Sequence, residues 1–201
     1  MKKKILITGG TGFIGYHLAK RCVRMGWEVT SFSKRKPFSI RKLKKVKYVT
    51  GDLTKKKDLN VLKKSFDYVV NAAGVVDHST NKNVFKAHYL GCKNLANFFL
   101  KKKIQLFLQI GSCVEYGPQK SPQKEHFKSR IIDLKSMYSK GKFAASEYLM
   151  ELHQKYKFPI IVFRLYLNYG PNQDFNRFLP VIIDGCIRNK KFPCSSGMQY
   201  R

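Results

Sequence analysis

Tyr138 and Lys142 stand four residues apart in Tyr138-Ser139-Lys140-Gly141-Lys142, so on a helix a phenol and an ammonium share one face. A cation so placed lowers the phenol pKa and makes tyrosine a usable acid or base. The same spacing recurs at Tyr16/Lys20, Tyr89/Lys93 and Tyr116/Lys120, so spacing alone selects nothing in a lysine-rich chain. Context separates the four. Tyr16 follows a glycine loop within a first helix, Tyr89 lies on a helix before a strand, and Tyr116 sits in a turn beside Gly117-Pro118. Only Tyr138/Lys142 opens a helix after a strand that ends in a serine, Ile110-Gly111-Ser112. A hydroxyl at the carboxyl end of a strand is placed to hydrogen-bond a substrate oxygen. Ser112, Tyr138 and Lys142 are therefore the candidate catalytic residues, with Ser112 also in contact with substrate.

A second group of residues has the chemistry to hold an anionic cofactor. Thr8-Gly9-Gly10-Thr11-Gly12-Phe13-Ile14-Gly15 follows the apolar run Ile5-Leu6-Ile7 and leads into the helical stretch from Tyr16 to Val23. Glycines at spacing three let the backbone turn tightly against a pyrophosphate, whose charge meets the free N–H groups of a helix N-terminus. Gly9, Thr11, Gly12, Phe13, Ile14 and Gly15 are accordingly expected to bind a dinucleotide. Eighteen residues beyond Gly15, where a carboxylate would select the unphosphorylated cofactor, the chain has Ser33 followed by Lys34 and Arg35. No carboxylate repels a 2′-phosphate there and two cations stand ready for one, so NADP is favoured over NAD. Asp52 and Leu53 in Gly51-Asp52-Leu53, and Ala72, Ala73 and Gly74 in the segment after Asn71, fall where strand ends would edge the cofactor crevice.

These residues need a scaffold that brings several strand ends together. Short β-branched or apolar runs at Ile5–Ile7, Val29–Phe32, Val46–Val49, Tyr68–Asn71, Leu106–Ile110 and Ile160–Phe163 alternate with helical segments. Six such strands indicate an α/β fold, a parallel sheet wound with helices on both faces. After Gly170-Pro171 the pattern loosens: 172–177 reads as a loop, Phe178 to Asn189 as a helix, and Lys190 to Arg201 as the start of something further. The expected organisation is a dinucleotide-binding domain over 1–170 and an incomplete substrate-binding region over 171–201.

Composition narrows the class. With 201 residues, 43% hydrophobic and 13% aromatic, the chain has material for one substantial core. No apolar run approaches a membrane span, and Met1-Lys2-Lys3-Lys4 leads straight into a strand, so a cytoplasmic location without membrane insertion is expected. Cys22, Cys92, Cys113, Cys186 and Cys194 are odd in number and widely spaced, which indicates neither a disulfide framework nor a metal site. The net charge of +28 would attract a polyanion, and a non-catalytic protein of this fold that binds RNA or serves as a structural subunit is the alternative it raises. The lysine runs are not interleaved with aromatic residues as a stacking platform requires, so a solvated basic surface is preferred and nucleic acid is not the expected partner.

Taken in order, Thr8 to Gly15, Gly51-Asp52-Leu53, Asn71 to Gly74, Ser112-Cys113-Val114-Glu115-Tyr116-Gly117, Tyr138 with Lys142, and Arg164 through Tyr169-Gly170-Pro171 resemble the extended short-chain dehydrogenase/reductases of the nucleotide-sugar epimerase/dehydratase family. The resemblance implies a Rossmann-type doubly wound sheet, an NAD(P) cofactor, a nucleotide-sugar substrate and a homodimer. It implies that Tyr138 is the general acid/base, that Lys142 holds the nicotinamide ribose and depresses the Tyr138 pKa, and that Ser112 orients the reacting oxygen. Asn168 and Arg177 are expected on the substrate. Gly197 to Arg201 resembles a segment whose arginine meets the substrate diphosphate, in chains that continue well past it. The resemblance also carries departures. Cys113-Val114 stand where family dehydratases have Asp-Glu, which argues against dehydration and for a 4-ketoreductase or 4-epimerase. The position before Tyr169-Gly170-Pro171 that is commonly Asn is Leu167, with Asn168 next to it, and a helix position often Asn is His88, read here as structural. A chain that binds cofactor without turnover is a third outcome, should the substrate region be incomplete.

Overall fold

The computed structural model describes residues 2–75, 82–127, 129–194 and 196. The chain divides into two compact units, Met1–Tyr166 and Leu167–Arg201. The first holds six parallel strands: β1 (Lys4–Thr8), β2 (Glu28–Ser33), β3 (Val46–Thr50), β4 (Tyr68–Asn71), β5 (Leu106–Ser112) and β6 (Ile160–Leu165). Their order across the sheet is β3-β2-β1-β4-β5-β6. The chain winds outward from β1 in one direction, then returns and winds outward in the other. That reversal opens a crevice at the carboxyl ends of β1 and β4, the topological switch point where such sheets take ligands.

Every expected strand forms, and the reason is visible in β1. Ile5, Leu6 and Ile7 are all buried, as in a strand covered on both faces. Successive side chains point to opposite sides. Leu6 enters one core with Phe32, Val69 and Phe107, beneath Leu95, Phe99, Leu149 and Leu152. Ile5 and Ile7 enter the other with Val29, Val70 and Ile110, against Ala19 and Cys22. The helices α2 (Lys82–Leu100) and α3 (Met137–Tyr156) thus cover one face and α1 (Phe13–Arg24) the other, which makes the sheet doubly wound. Two crossovers depart from the expected alternation. Those flanking β3 carry short 3-10 turns, Ser39–Arg41 and Lys56–Val61, in place of helices. The first lies in a run dense in cations and interrupted by Pro37, which has no apolar stripe to lay on the sheet.

The helix α3 carries two of the three candidate catalytic residues. Ser136 caps its start by accepting the Ser139 N–H at 3.0 Å. Besides Gly141, its buried positions, Ser139, Lys142, Ala145, Ser146, Leu149 and Leu152, recur at three- and four-residue intervals. Lys142 therefore lies inside the buried stripe of the helix, one turn from Ser146. The second unit contributes α4 (Phe178–Ile187), which begins at the expected Phe178. No helix among the described residues is long and apolar enough to cross a membrane.

Candidate active site

The glycine loop joins β1 to α1 and is tied to β2 by the Gly9 N–H, which donates to the Phe32 carbonyl at 2.9 Å. Gly9 has φ +69°, a left-handed conformation, and a Cβ there would lie 2.7 Å from the Ala72 carbonyl oxygen. A Cβ on Gly15 would strike the Gly9 carbonyl. The absence of side chains is thus what lets loop, helix and β4 converge. Gly12 is the N-cap of α1, which has no side-chain cap and no acidic residue in its first turn. No side chain of its own first turn therefore competes with an anion for its leading N–H groups.

The cofactor residues expected after β2, β3 and β4 gather along the same edge. Ser33 ends β2, and its Oγ, like that of Ser31, is buried with no hydrogen-bond partner among the described residues. Lys34 pairs with Asp52 at 3.0 Å. Burial pushes the Asp52 carboxyl up, but hydrogen bonds from Thr54 and Lys34 outweigh it and hold the group below its ordinary value. Leu53 is buried, and its carbonyl accepts from Asn94 Nδ2 at 2.9 Å. The bare loop and the orphaned Ser33 hydroxyl fit the dinucleotide expected from the sequence, for which Gly9 to Gly15, Ser33, Lys34, Arg35 and Asp52 are the candidate residues.

Ser112 is the last residue of β5 and is buried. Lys142 reaches the same strand, its Nζ donating to the Ile110 carbonyl at 2.6 Å. Burial lowers the ammonium to about 8, partly opposed by the negative charge of Glu115. Lys142 Nζ lies 5.9 Å from the centroid of the Tyr138 ring, and the half-buried Tyr138 ring meets the imidazole of His88 edge to face at 5.0 Å. His88 Nε2 is 2.9 Å from the Val75 carbonyl, which fixes that nitrogen as the protonated one of a neutral ring. Burial and the Lys142 charge depress this imidazole to about 4. His88 thus packs between the segment leaving β4 and the helix of Tyr138.

Two features were not singled out by reading along the chain. A buried polar ladder crosses the strand ends: Thr8 Oγ1 donates to Asn71 Oδ1 at 2.6 Å, and Asn71 Nδ2 donates to Gln109 Oε1 at 2.8 Å. Glu115, three residues past Ser112, is almost wholly buried, and its carboxylate is bound on several sides. Asn168 and Arg177 lie in the second unit, where the Asn168 carbonyl accepts from Gln173 at 3.0 Å and Arg177 precedes α4. Arg201 lies outside the described residues.

A parallel sheet in this strand order, with a glycine loop at its switch point, defines a Rossmann-type dinucleotide-binding protein. The chain belongs to the NAD dependent epimerase/dehydratase family, whose model matches residues 5–201. It is 26% identical to a dTDP-D-glucose 4,6-dehydratase of Dictyostelium discoideum, across 94% of this chain and 49% of the relative. It is 23% identical to the decarboxylating sterol-4-alpha-carboxylate 3-dehydrogenase of Bos taurus, across 97% of this chain and 54% of that one. The chain thus spans about half the length of these curated relatives. The dTDP-glucose 4,6-dehydratase of Bacillus anthracis, solved with NAD, superposes with a TM-score of 0.82 at 21% identity, covering 94% of this chain and 63% of that one. That likeness establishes the fold.

Proposed function

We propose that this chain is the cofactor-binding part of a nucleotide-sugar oxidoreductase, a 4-ketoreductase or a 4-epimerase, working through Ser112, Tyr138 and Lys142. The observation that carries this reading is the placement of Lys142, bonded to β5 two residues before Ser112 and beneath the Tyr138 ring. Bound in the crevice, a nicotinamide dinucleotide supplies or accepts the hydride at the sugar carbon. Tyr138 then gives or takes the proton at the oxygen on that carbon, Ser112 holds the oxygen by a hydrogen bond, and the Lys142 charge favours the phenolate. Cys113 and Val114, where dehydratases of the family carry acids, offer no carboxylate for eliminating water. Reduction or epimerisation needs none.

For the cofactor, Ser33 with an exposed Arg35 beside it supports a dinucleotide bearing a 2′-phosphate. The Lys34–Asp52 pair draws one of the two expected cations away from that task. The family description and the Bacillus anthracis structure both name NAD, so affinity is to be measured for both forms.

The test follows cofactor oxidation with a 4-keto-6-deoxy nucleotide sugar, in this chain and in any longer form that its gene encodes. Tyr138→Phe is expected to lower kcat on the order of a hundred- to ten-thousandfold while leaving dinucleotide affinity in place. Unchanged turnover would remove Tyr138 from the mechanism. A sterol 4-alpha-carboxylate, after the substrate that the bovine relative's name gives, serves as the competing substrate, and its exclusive turnover would overturn the substrate class.

A further inference from the structure

Glu115 is the third residue beyond Ser112, in the 3-10 turn Cys113–Tyr116, and is 1% exposed. Its Oε1 accepts the Ser112 backbone N–H at 2.7 Å. Its Oε2 accepts the Ser146 hydroxyl at 2.7 Å and the Arg164 Nε–H at 3.3 Å. One carboxylate thus joins the end of β5, the buried stripe of α3 and strand β6. Arg164 is braced in turn, its guanidinium 4.7 Å from the Tyr116 ring centroid and its Nη1 donating to the Glu125 carbonyl at 3.4 Å.

A buried carboxylate left unpaired would be strongly destabilising, and removing one partner of such a pair costs more than the pair contributes. Every contact Glu115 makes therefore constrains the geometry of what it holds. Two of those groups belong to the candidate site: Ser112 itself, and the helix turn that carries Lys142 one turn before Ser146. Lys142 has few other sources of compensating charge. Around its ammonium stand the Ile110 carbonyl, the Cys92 thiol, the neutral His88 ring and the Tyr138 phenol, with Glu115 the carboxylate of the set. Around Glu115 stand the Ser112 N–H, the Ser146 hydroxyl and the Arg164 guanidinium.

We propose that Glu115 is a positioning residue of this site, fixing Ser112 against α3 and β6 and setting its negative charge one helix turn from Lys142, behind Tyr138. The inference rests on the catalytic reading of Ser112 and Lys142. Its two parts separate by substitution. Glu115→Gln keeps the size and an acceptor for Ser112 but removes the charge. Glu115→Asp keeps the charge but shortens the reach to Ser112.

The decisive measurement is an NMR titration of the Lys142 side chain, which needs only folded protein. In Glu115→Gln the Lys142 midpoint is expected to fall by about one pH unit, because an opposite charge that favoured the ammonium is gone. In Glu115→Asp the midpoint is expected to hold, while kcat falls on the order of a hundredfold at unchanged cofactor affinity as Ser112 shifts. A Lys142 midpoint that does not move in Glu115→Gln overturns the counter-charge. Wild-type kcat in Glu115→Asp overturns the positioning role. Should Glu115→Gln not fold, Glu115→Asp, which keeps the carboxylate paired with Arg164, still decides the positioning role through kcat. A Lys142 shift in Glu115→Gln, beside a wild-type protein that reduces no nucleotide sugar, would keep the charge placement and sink the proposed reaction.

Discussion

At the scale of single residues, the site is built around a cation that the fold holds against its preference for water. Lys142 titrates at about 8 in the folded chain, below its ordinary value of 10.5, because burial disfavours the ammonium. If the ammonium supports Tyr138, turnover declines as pH rises through about 8, and a kcat profile from pH 6 to 10 is expected to show that limb. The same depression has a thermodynamic signature. The unfolded chain keeps this proton up to 10.5 while the folded chain releases it near 8, so between those values the unfolded state binds more protons and stability rises with pH. Relative to Lys142→Met, which cannot titrate, the wild-type protein is expected to gain about 3 kcal/mol across that window, since each pH unit within it contributes roughly 1.4 kcal/mol. Urea unfolding of both proteins at pH 7.5 and 10.5 checks this. An equal difference at both pH values would mean that Lys142 is not held in a desolvated site. Tyr138 and Lys142 are legible from their spacing and from the serine at the end of β5, whereas Glu115 is legible only as the acid of a Ser112-x-x-Glu115 capping box. Its meaning depends on Ser146 and Arg164, which lie 31 and 49 residues further along the chain.

At the scale of elements, what can be read in the sequence is local and what cannot is mutual. The six strands announce themselves by apolar runs and the glycine loop by its spacing, because both are set within a few residues. The short 3-10 turns around β3 stand in place of helices, since alternation along the chain does not say how long a crossover must be. The ladder through Thr8, Asn71 and Gln109 is equally hidden. Its partners are 63 and 38 residues apart, and only the strand order puts β1, β4 and β5 side by side. Each looks in the sequence like a polar interruption near a strand end. In the sheet they are buried and bonded across the positions that pair Thr8 with Asn71 and Asn71 with Gln109. Gln109→Leu is expected to destabilise the fold by about 1–3 kcal/mol, since it strands the Asn71 amide in a dry interior. Asn71→Val combined with Gln109→Leu is expected to recover part of that loss, because fewer polar groups are left unpaired. Chemical denaturation of the single and double variants measures it, and a fully additive loss would show that the ladder is not a coupled unit.

At the scale of the whole molecule, charge is the property that the fold does not explain. The chain carries 40 basic and 12 acidic residues, for a net +28, and several described acids are already engaged: Asp52 with Lys34, Glu115 with Arg164, Asp133 with Arg130, Asp184 with Arg188. Most of the lysines therefore face one another across solvent, and their repulsion opposes the compact state. Salt shortens the reach of that repulsion, from about 10 Å at 0.1 M to about 3 Å at 1 M. The melting temperature is thus expected to rise with sodium chloride, and a fall would show that exposed ion pairs outweigh the repulsion. The same variable separates the two roles such a surface could have. A polynucleotide held by six to ten phosphate contacts loses about a thousand- to a hundred-thousandfold in affinity between 50 and 200 mM salt. A dinucleotide seated on the N–H groups of the loop from Gly9 to Gly15 has only its few phosphates to screen, and its affinity is expected to change by less than about tenfold over that range. Titrating a dinucleotide and a single-stranded RNA across both salt concentrations therefore compares a built site with a charged surface. RNA affinity that survives 200 mM salt while dinucleotide binding is absent would favour the polyanion reading over the enzymatic one.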